Sequence, residues 1–341
     1  MKLLVIRTSA MGDVALTAPV LSAMRSQYPE VEIVMLTRKA FNPFFSSIDG
    51  LEFFFPDFQN RHKGLPGLIR LFRDIKEKHS IDRVIDLHDI LRSKVLRFLF
   101  MLTDKRVYVI DKGRSDKRKL VSGRQKIKLK HTVERYCDVF ARAGYDLNPY
   151  LPEPIHSTPE ARIKAESLID KNVLNIGVAP FAKHSLKIWP EQNMIRLLHL
   201  IAEQHRCKFW LFGGFEDTER MNSFSSRLPG SFNVIGKMSL NEELALLGKL
   251  DLMIAMDSSN MHMAALSGTK VISIWGGTDP LAGFGAWKQP DNYAIRISID
   301  DLKCRPCTVY GRGECLRGDF ACMMWLTPEL VFRRMQELEV I

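Results

Sequence analysis

Apolar runs of strand length alternate along this chain with longer stretches of helical period, and this alternation constrains the fold more than any other feature. In the first half the strand-length runs are 3–7, 33–37, 51–55, 84–87 and 107–110, and helical periodicity covers 14–27, 65–78 and 91–101. The second half repeats the rhythm, with strands at 175–179, 208–212, 252–255 and 271–274 and helices near 194–203, 218–227 and 241–249. Strand, helix, strand in succession builds a parallel sheet. An α/β fold of two Rossmann-like domains in tandem is therefore expected. Length agrees: 341 residues exceed what one core usually serves, and 46% hydrophobic residues supply a core for each half.

Asn148, Pro149, Pro152, Pro154 and Pro159 punctuate a segment that cannot be continuous helix, so the linker is placed there. The expected division is a first domain at 1–150, a second at 151–325, and a C-terminal segment, 326–341, whose helix at 327–338 packs back on the first domain. A ligand is expected at the carboxyl ends of the strands, in a cleft between the domains.

No apolar run approaches the roughly 18 residues that span a bilayer, and the N-terminal run from Leu3 to Ile6 stops at Arg7, too short for a signal-peptide core. A cytoplasmic location is expected. Six cysteines in so long a chain are too few for a disulfide scaffold, leaving reduced thiols or a metal site.

The formal charge of +10 invites a nucleic-acid reading, but the charge is local. Between Lys112 and Lys130 nine basic residues face Asp116 alone, a net +8. Such a segment, placed here in the first domain, suits an anionic substrate or membrane surface; a solvated loop with no partner explains the charge equally well. Nucleic acid is not the expected partner.

Three loops carry chemistry. The first, Thr8-Ser9-Ala10-Met11-Gly12-Asp13, follows a strand and opens a helix, the position of an anion-binding turn. With Gly12 as its single glycine it is no dinucleotide fingerprint, which disfavours a nicotinamide enzyme. Asp13 reads either as a helix N-cap or as a carboxylate that accepts a proton from an attacking hydroxyl. The second loop runs from Lys183 to Pro190, where a lysine beyond a strand end can meet a diphosphate as a point charge or simply stand in solvent. The third, Asp257-Ser258-Ser259-Asn260-Met261-His262, lies between an apolar strand and a small-residue helix. Its helix start offers backbone N–H groups to phosphate oxygens, or is a plain cap with His262 in the core.

Together these loops resemble glycosyltransferase family 9, the heptosyltransferases. The resemblance rests on Arg7 to Val14 with Pro19, Lys187-Ile188-Trp189-Pro190, Lys237-Met238-Ser239-Leu240, Asp257 to His262 and Gly276-Gly277-Thr278-Asp279-Pro280, and so spans both halves. It implies a GT-B fold, two Rossmann-like domains whose parallel sheets face a central cleft. It also implies an inverting, metal-independent transfer from ADP-L-glycero-β-D-manno-heptose to a lipopolysaccharide inner-core acceptor, at the inner face of the cytoplasmic membrane. By motif, Asp13 resembles the catalytic base, with Ser9 and Ala10 in the turn approaching the donor. Lys187 resembles the lysine on the donor phosphate, and Asp257, Ser258, Ser259 and His262 the donor-binding helix start, although Ser259 stands where glycine is usual. Glu216 resembles the acid on the nucleotide ribose and Met238 a residue of the adenine pocket. Lys117, Arg118 and Lys119 are assigned to the acceptor.

The assignment is chemically coherent, since inversion needs one base for the acceptor hydroxyl and positive potential for the departing diphosphate, with no cofactor beyond the ADP-sugar itself. Cys304-Arg305-Pro306-Cys307 with Cys315 and Cys322 offers four thiols that suit structural zinc, although the last two stand six residues apart, wider than usual. Two rivals stay open: another GT-B enzyme, either a different sugar transferase or a sugar-nucleotide epimerase, and a non-catalytic protein that binds anionic ligands through the basic segment.

Overall fold

The computed structural model describes residues 1–341. It divides into two compact units, Met1–Lys112 with Thr132–Ile155, and Gly113–His131 with His156–Ile341.

The first unit runs β1 (Lys2–Ile6), α1 (Met11–Ala15), α2 (Ala18–Gln27), β2 (Glu32–Leu36), β3 (Leu51–Phe54), α3 (Gly64–Lys78), β4 (Arg83–Asp86), α4 (Leu91–Met101) and β5 (Arg106–Val109). The chain then contributes α5 (Arg114–Val121) to the second unit and returns with α6 (Thr132–Arg142). All five strands are parallel in the order β3-β2-β1-β4-β5, with Leu3 opposite Ile33 and Arg83. Both faces of such a sheet are covered, so β1 reads as an unbroken apolar run, Leu3 to Ile6, at most 1% exposed. One side packs through Leu4, Ile6, Val34 and Val84 onto Leu68, Leu71 and Ile75 of α3 and Leu96 and Phe100 of α4.

The helix expected over 14–27 is broken into two. The Thr17 hydroxyl donates to the Val14 carbonyl, and Pro19 stands in the first turn of α2, where its missing N–H is harmless.

The second unit continues with α7 (Pro159–Leu168), β6 (Leu174–Ala179), α8 (Glu191–Gln204), β7 (Cys207–Leu211), α9 (Thr218–Ser225), β8 (Phe232–Asn233), α10 (Leu240–Leu247), β9 (Leu252–Met256), α11 (Ser259–Leu266), β10 (Val271–Ile274), β11 (Ala294–Ile295), α12 (Ala321–Met324) and α13 (Pro328–Glu337). Its parallel sheet has the order β11-β10-β9-β6-β7-β8. The edge strands β8 and β11, two residues each, carry too little pattern to read from sequence.

Two expectations of domain architecture are corrected. The helix at 327–338 does not join the first domain: Val331, Phe332 and Met335 of α13 belong to the second unit's core with Met194, Leu198 and Ile201 of α8. The basic segment, expected in the first domain, is also part of the second unit. Leu120 and Leu129 form a cluster with Ala282, the Leu129 N–H donates to the Leu281 carbonyl, and Lys117 lies 4.0 Å over the Phe284 ring.

Both sheets reverse direction of growth at one place, between β1 and β4 in the first unit and between β6 and β9 in the second. The connections leaving neighbouring strands diverge there, which opens room at the strands' carboxyl ends.

Candidate functional site

In the first unit the loops after β1 and β4 meet at the reversal point. Asp13 is in the first turn of α1, but the N-cap is Ala10, so the capping role is not filled by Asp13. Instead Asp13 Oδ2 lies 2.6 Å from the Arg7 guanidinium, with its side chain 31% exposed. Arg7 is itself buried and donates to the Leu87 carbonyl at 2.6 Å. It lies beneath the ring of Tyr136 from α6, whose hydroxyl donates to the Asp13 backbone carbonyl. The carboxylate is thus held by Arg7 and its backbone by Tyr136, while its side chain keeps an open face, a placement that suits a general base.

His88, in the β4 loop, packs against the same turn. Its Nδ1 lies 3.2 Å from the Thr8 hydroxyl and its Nε2 3.2 Å from that of Ser9. Burial, reinforced by the Arg7 and Lys112 cations, holds its pKa down at about 3, so the ring is neutral and offers one donor and one acceptor to the two hydroxyls. The loop that carries His88 is set by Asp86, which is fully buried, accepts the N–H groups of His88 and Asp89, and pairs with Arg97 at 2.9 Å. Sequence reasoning passed over Arg7, His88 and Asp86 as individual residues; the signal was an Asp ending one apolar strand, opposite Ile6, with an Arg directly after Ile6 on the neighbouring strand.

The second unit repeats the logic with other chemistry. Lys187 ends a short turn, Ser185–Lys187, in the connection after β6, and Asp257 follows β9 directly. Because β6 and β9 are neighbours, residues 70 positions apart meet: Lys187 Nζ is 2.7 Å from Asp257 Oδ2, with side chains 16% and 7% exposed. Thr278 donates its hydroxyl to the same carboxylate at 2.8 Å. Gly311, at φ +80°, lies flat against the lysine stem, where a Cβ would come within 2.6 Å of Lys187 Cγ.

Ser258 is the N-cap of α11 but makes no side-chain cap bond, and its buried hydroxyl has no partner. The first N–H groups of α11, from Ser259 on, are those a helix leaves unpaired, with the positive end of its dipole. His262 is buried on the same helix. Glu216 is exposed, and its carboxylate curls over Gly214, where any Cβ would lie 2.5 Å from Oε2. Met238 is half-buried just ahead of α10, and the exposed ring of Phe215, which sequence reasoning passed over, approaches Gly236. Glu243 on α10 is pushed up to about 7 by burial.

The three basic residues assigned to the acceptor lie on α5, in the unit that also holds Lys187 and Asp257. Lys117 is buried, whereas Arg118 and Lys119 are exposed, Lys119 being 3.5 Å from Asp116. Further along, Lys126 pairs with Asp300 and Lys128 with Asp291, each at 2.6 Å. A small cavity of about 40 Å³ lies beside Lys128, lined by Ser273, Gln289 and Tyr293, and includes none of the residues expected to bind donor.

All six cysteines are free thiols. No three His, Cys, Asp or Glu side chains come together as a metal-ligand set, so Cys304, Cys307, Cys315 and Cys322 are not arranged as the zinc site that four thiols could form. Burial raises the Cys307 thiol and pushes Cys322 up to about 11.

Comparison with known proteins agrees with the geometry. The profile of glycosyltransferase family 9 (heptosyltransferase) matches residues 68–314. Among curated relatives, the lipopolysaccharide core heptosyltransferase OpsX of Haemophilus influenzae is 23% identical over 285 residues, covering 82% of this chain and 80% of OpsX. Lipopolysaccharide heptosyltransferase 1 of Escherichia coli K12 is 24% identical over 306 residues, covering 84% and 91%. Among solved structures, a family 9 glycosyltransferase from Veillonella parvula superimposes with a TM-score of 0.77 at 20% identity, over 99% of this chain and 96% of that one. E. coli heptosyltransferase WaaC with ADP-2-deoxy-2-fluoro heptose gives 0.65 at 20% identity, over 99% and 100%. These likenesses show a shared GT-B fold. With nearly three-quarters of its length matched by the family profile, the chain belongs to glycosyltransferase family 9 and is a glycosyltransferase.

Proposed function

We propose that this enzyme moves heptose from ADP-L-glycero-β-D-manno-heptose to the inner core of lipopolysaccharide, with inversion and without a metal ion. The observation that carries the reading is the division of chemistry between the two reversal points. A fixed, partly exposed carboxylate, Asp13, stands at one; a lysine oriented by Asp257 beside a helix start with an unpartnered hydroxyl stands at the other. The names of the relatives support heptose and the lipopolysaccharide core as substrates.

In this mechanism Asp13 takes the proton of the acceptor hydroxyl as its oxygen bonds to the anomeric carbon. The bond from that carbon to the diphosphate oxygen breaks on the opposite face, and the electron pair leaves with ADP. The Lys187 ammonium and the first N–H groups of α11 stabilise the charge developing on the diphosphate, in the role a divalent ion fills elsewhere. Glu216 receives the ribose hydroxyls, Met238 lines the adenine, and Ser9 and Ala10 approach the sugar. His88 holds Thr8 and Ser9 and so sets the turn that carries the base. Arg118 and Lys119 meet the anionic acceptor. The enzyme acts in the cytoplasm, on the inner face of the membrane, where its lipid-anchored acceptor is held; no helix is long and apolar enough to cross a bilayer.

The test is turnover of purified enzyme with ADP-heptose and a deacylated inner-core acceptor in EDTA, with the anomeric configuration of the product read by NMR. An α-linked product formed at an undiminished rate is expected. Epimerised sugar nucleotide formed without acceptor, faster use of another nucleotide sugar, or loss of activity rescued by Mg²⁺ would each contradict the reading.

A further inference from the structure

We infer that the outer face of α4 docks on the surface of a bilayer containing anionic phospholipid. The helix Leu91–Met101 is apolar on both sides. Leu96 and Phe100 face the sheet and are buried in the first unit's core. On the opposite side, at helical spacing, Leu91, Phe98 and Met101 are 76%, 57% and 56% exposed, and Leu102, just beyond the last turn, is 68% exposed. A helix over a parallel sheet needs one apolar stripe, and scattered exposed apolar residues mean little, but an aligned row of large ones marks a surface that is covered in use.

Charge selects the occupant. α4 contains Arg92, Lys94 and Arg97 and no acidic residue. Arg97 turns inward to Asp86, while Arg92 and Lys94 flank the apolar row on the exposed surface, Arg92 over the Phe58 ring and Lys94 3.8 Å from Asp89. Neighbouring α3, which meets α4 through Phe72 and Phe100 at 4.9 Å, exposes four further cations against Glu77. A second copy of the chain on this face would bring these like charges together. An anionic bilayer accepts both features, the apolar side chains entering the boundary between headgroups and acyl chains and the cations meeting phosphate.

The basic segment around α5, expected to meet an anionic substrate or membrane surface, offers a poorer docking face. Its Lys126 and Lys128 are paired with acids of the second unit and Lys117 is buried there, which leaves α4 as the better-formed surface. The inference deepens the reading of the acceptor as a membrane glycolipid and rests on it for its purpose, but docking itself is measured without substrate.

The experiment is co-sedimentation of the full chain with vesicles of phosphatidylethanolamine and phosphatidylglycerol, against vesicles of phosphatidylcholine alone. The native chain should partition at least about tenfold more strongly to the anionic vesicles. The variant Phe98→Asp/Leu102→Asp should lose at least about tenfold of that partitioning, and Arg92→Glu/Lys94→Glu should lose the preference for anionic lipid. Phe98 and Leu102 are on the exposed face, so thermal unfolding and kcat/KM of the aspartate variant with the deacylated acceptor should match the native enzyme. Native chain that ignores anionic vesicles, or an aspartate variant that binds them equally well, overturns the proposal. So does a native dimer on size-exclusion chromatography that the aspartate variant converts to monomer, because a second copy would then be the occupant. If soluble-acceptor activity is missing from native and variant alike, the proposed transfer fails while the vesicle result still decides docking.

Discussion

Changing Lys187 to Met, Asp257 to Asn, and both together separates what this pair does for the fold from what it does for the reaction. The two charges are 2.7 Å apart with side chains 16% and 7% exposed, so removing either leaves the other poorly solvated. Stranding one member of a fully buried pair costs about 3–5 kcal/mol. The residual exposure of Lys187 and the Thr278 hydroxyl on Asp257 reduce that to about 2–3 kcal/mol for Lys187→Met, whose stem still packs on Gly311. In the double variant no charge is stranded, and the amide oxygen introduced by Asp257→Asn still accepts from Thr278, so stability should return to within about 1 kcal/mol of native. Turnover should not return, because the ammonium proposed to meet the leaving diphosphate is gone; a loss of about 10²- to 10³-fold is expected in both Lys187→Met and the double variant. Denaturant unfolding, ADP titration calorimetry and turnover on all four proteins complete the cycle. A coupling energy below about 0.5 kcal/mol, or a double variant that regains turnover along with stability, refutes the reasoning.

Three further outcomes are expected. Asp13→Ala should lower kcat at least about 10²-fold with ADP binding intact, since the carboxylate is proposed to act on the acceptor; near-native turnover would remove it from the mechanism. His88 is held neutral with its pKa down at about 3, so the stability it contributes is full above the unfolded value of 6.5 and is lost as pH falls from there toward 3. His88→Asn should therefore flatten the acid limb of the unfolding profile and lower kcat more than donor KM, and an unchanged acid limb would count against the neutral ring. Glu243 is the opposite case. Its folded pKa, about 7, is above the unfolded 4.5, so the native state loses stability as pH rises between those values, by up to about 3 kcal/mol, and Glu243→Gln should be more stable than native at pH 8 and indistinguishable near pH 4.

The βα rhythm was legible because parallel strands buried on both faces leave continuous apolar runs, and β1, β2, β4 and β10 fell within a residue or so of their expected places. The loops with chemistry were legible for the same reason: each begins where one of these apolar runs ends. Their mutual geometry was not. Nothing local to Lys187 says that β6 lies beside β9, and so its pairing with Asp257 and the hydroxyl of Thr278 came only with the sheet order. The rival role for Asp13 as a cap was decided only by the helix start in three dimensions, because the helix begins at Met11 and Ala10 occupies the cap. Two misplacements share one cause. The amphipathic α13 and the Leu120 and Leu129 anchors of the basic segment would satisfy any apolar surface, and the sequence does not say whose.

Because the segment 113–131 belongs to the second unit, the chain changes units three times, after residues 112, 131 and 155. Leu129 is synthesised about 150 residues before Leu281, its partner, so at ribosomal rates of about 5–20 residues per second it waits on the order of ten seconds or more for its binding surface to exist. No single cut yields two whole pieces. A fragment ending at residue 155 carries Leu120, Leu129 and a cluster of cations with no surface to cover them, and the complementary fragment exposes Leu281, Ala282 and Phe284. Neither half is a natural expression unit; an isolated second unit has to carry residues 113–131 grafted onto 156–341.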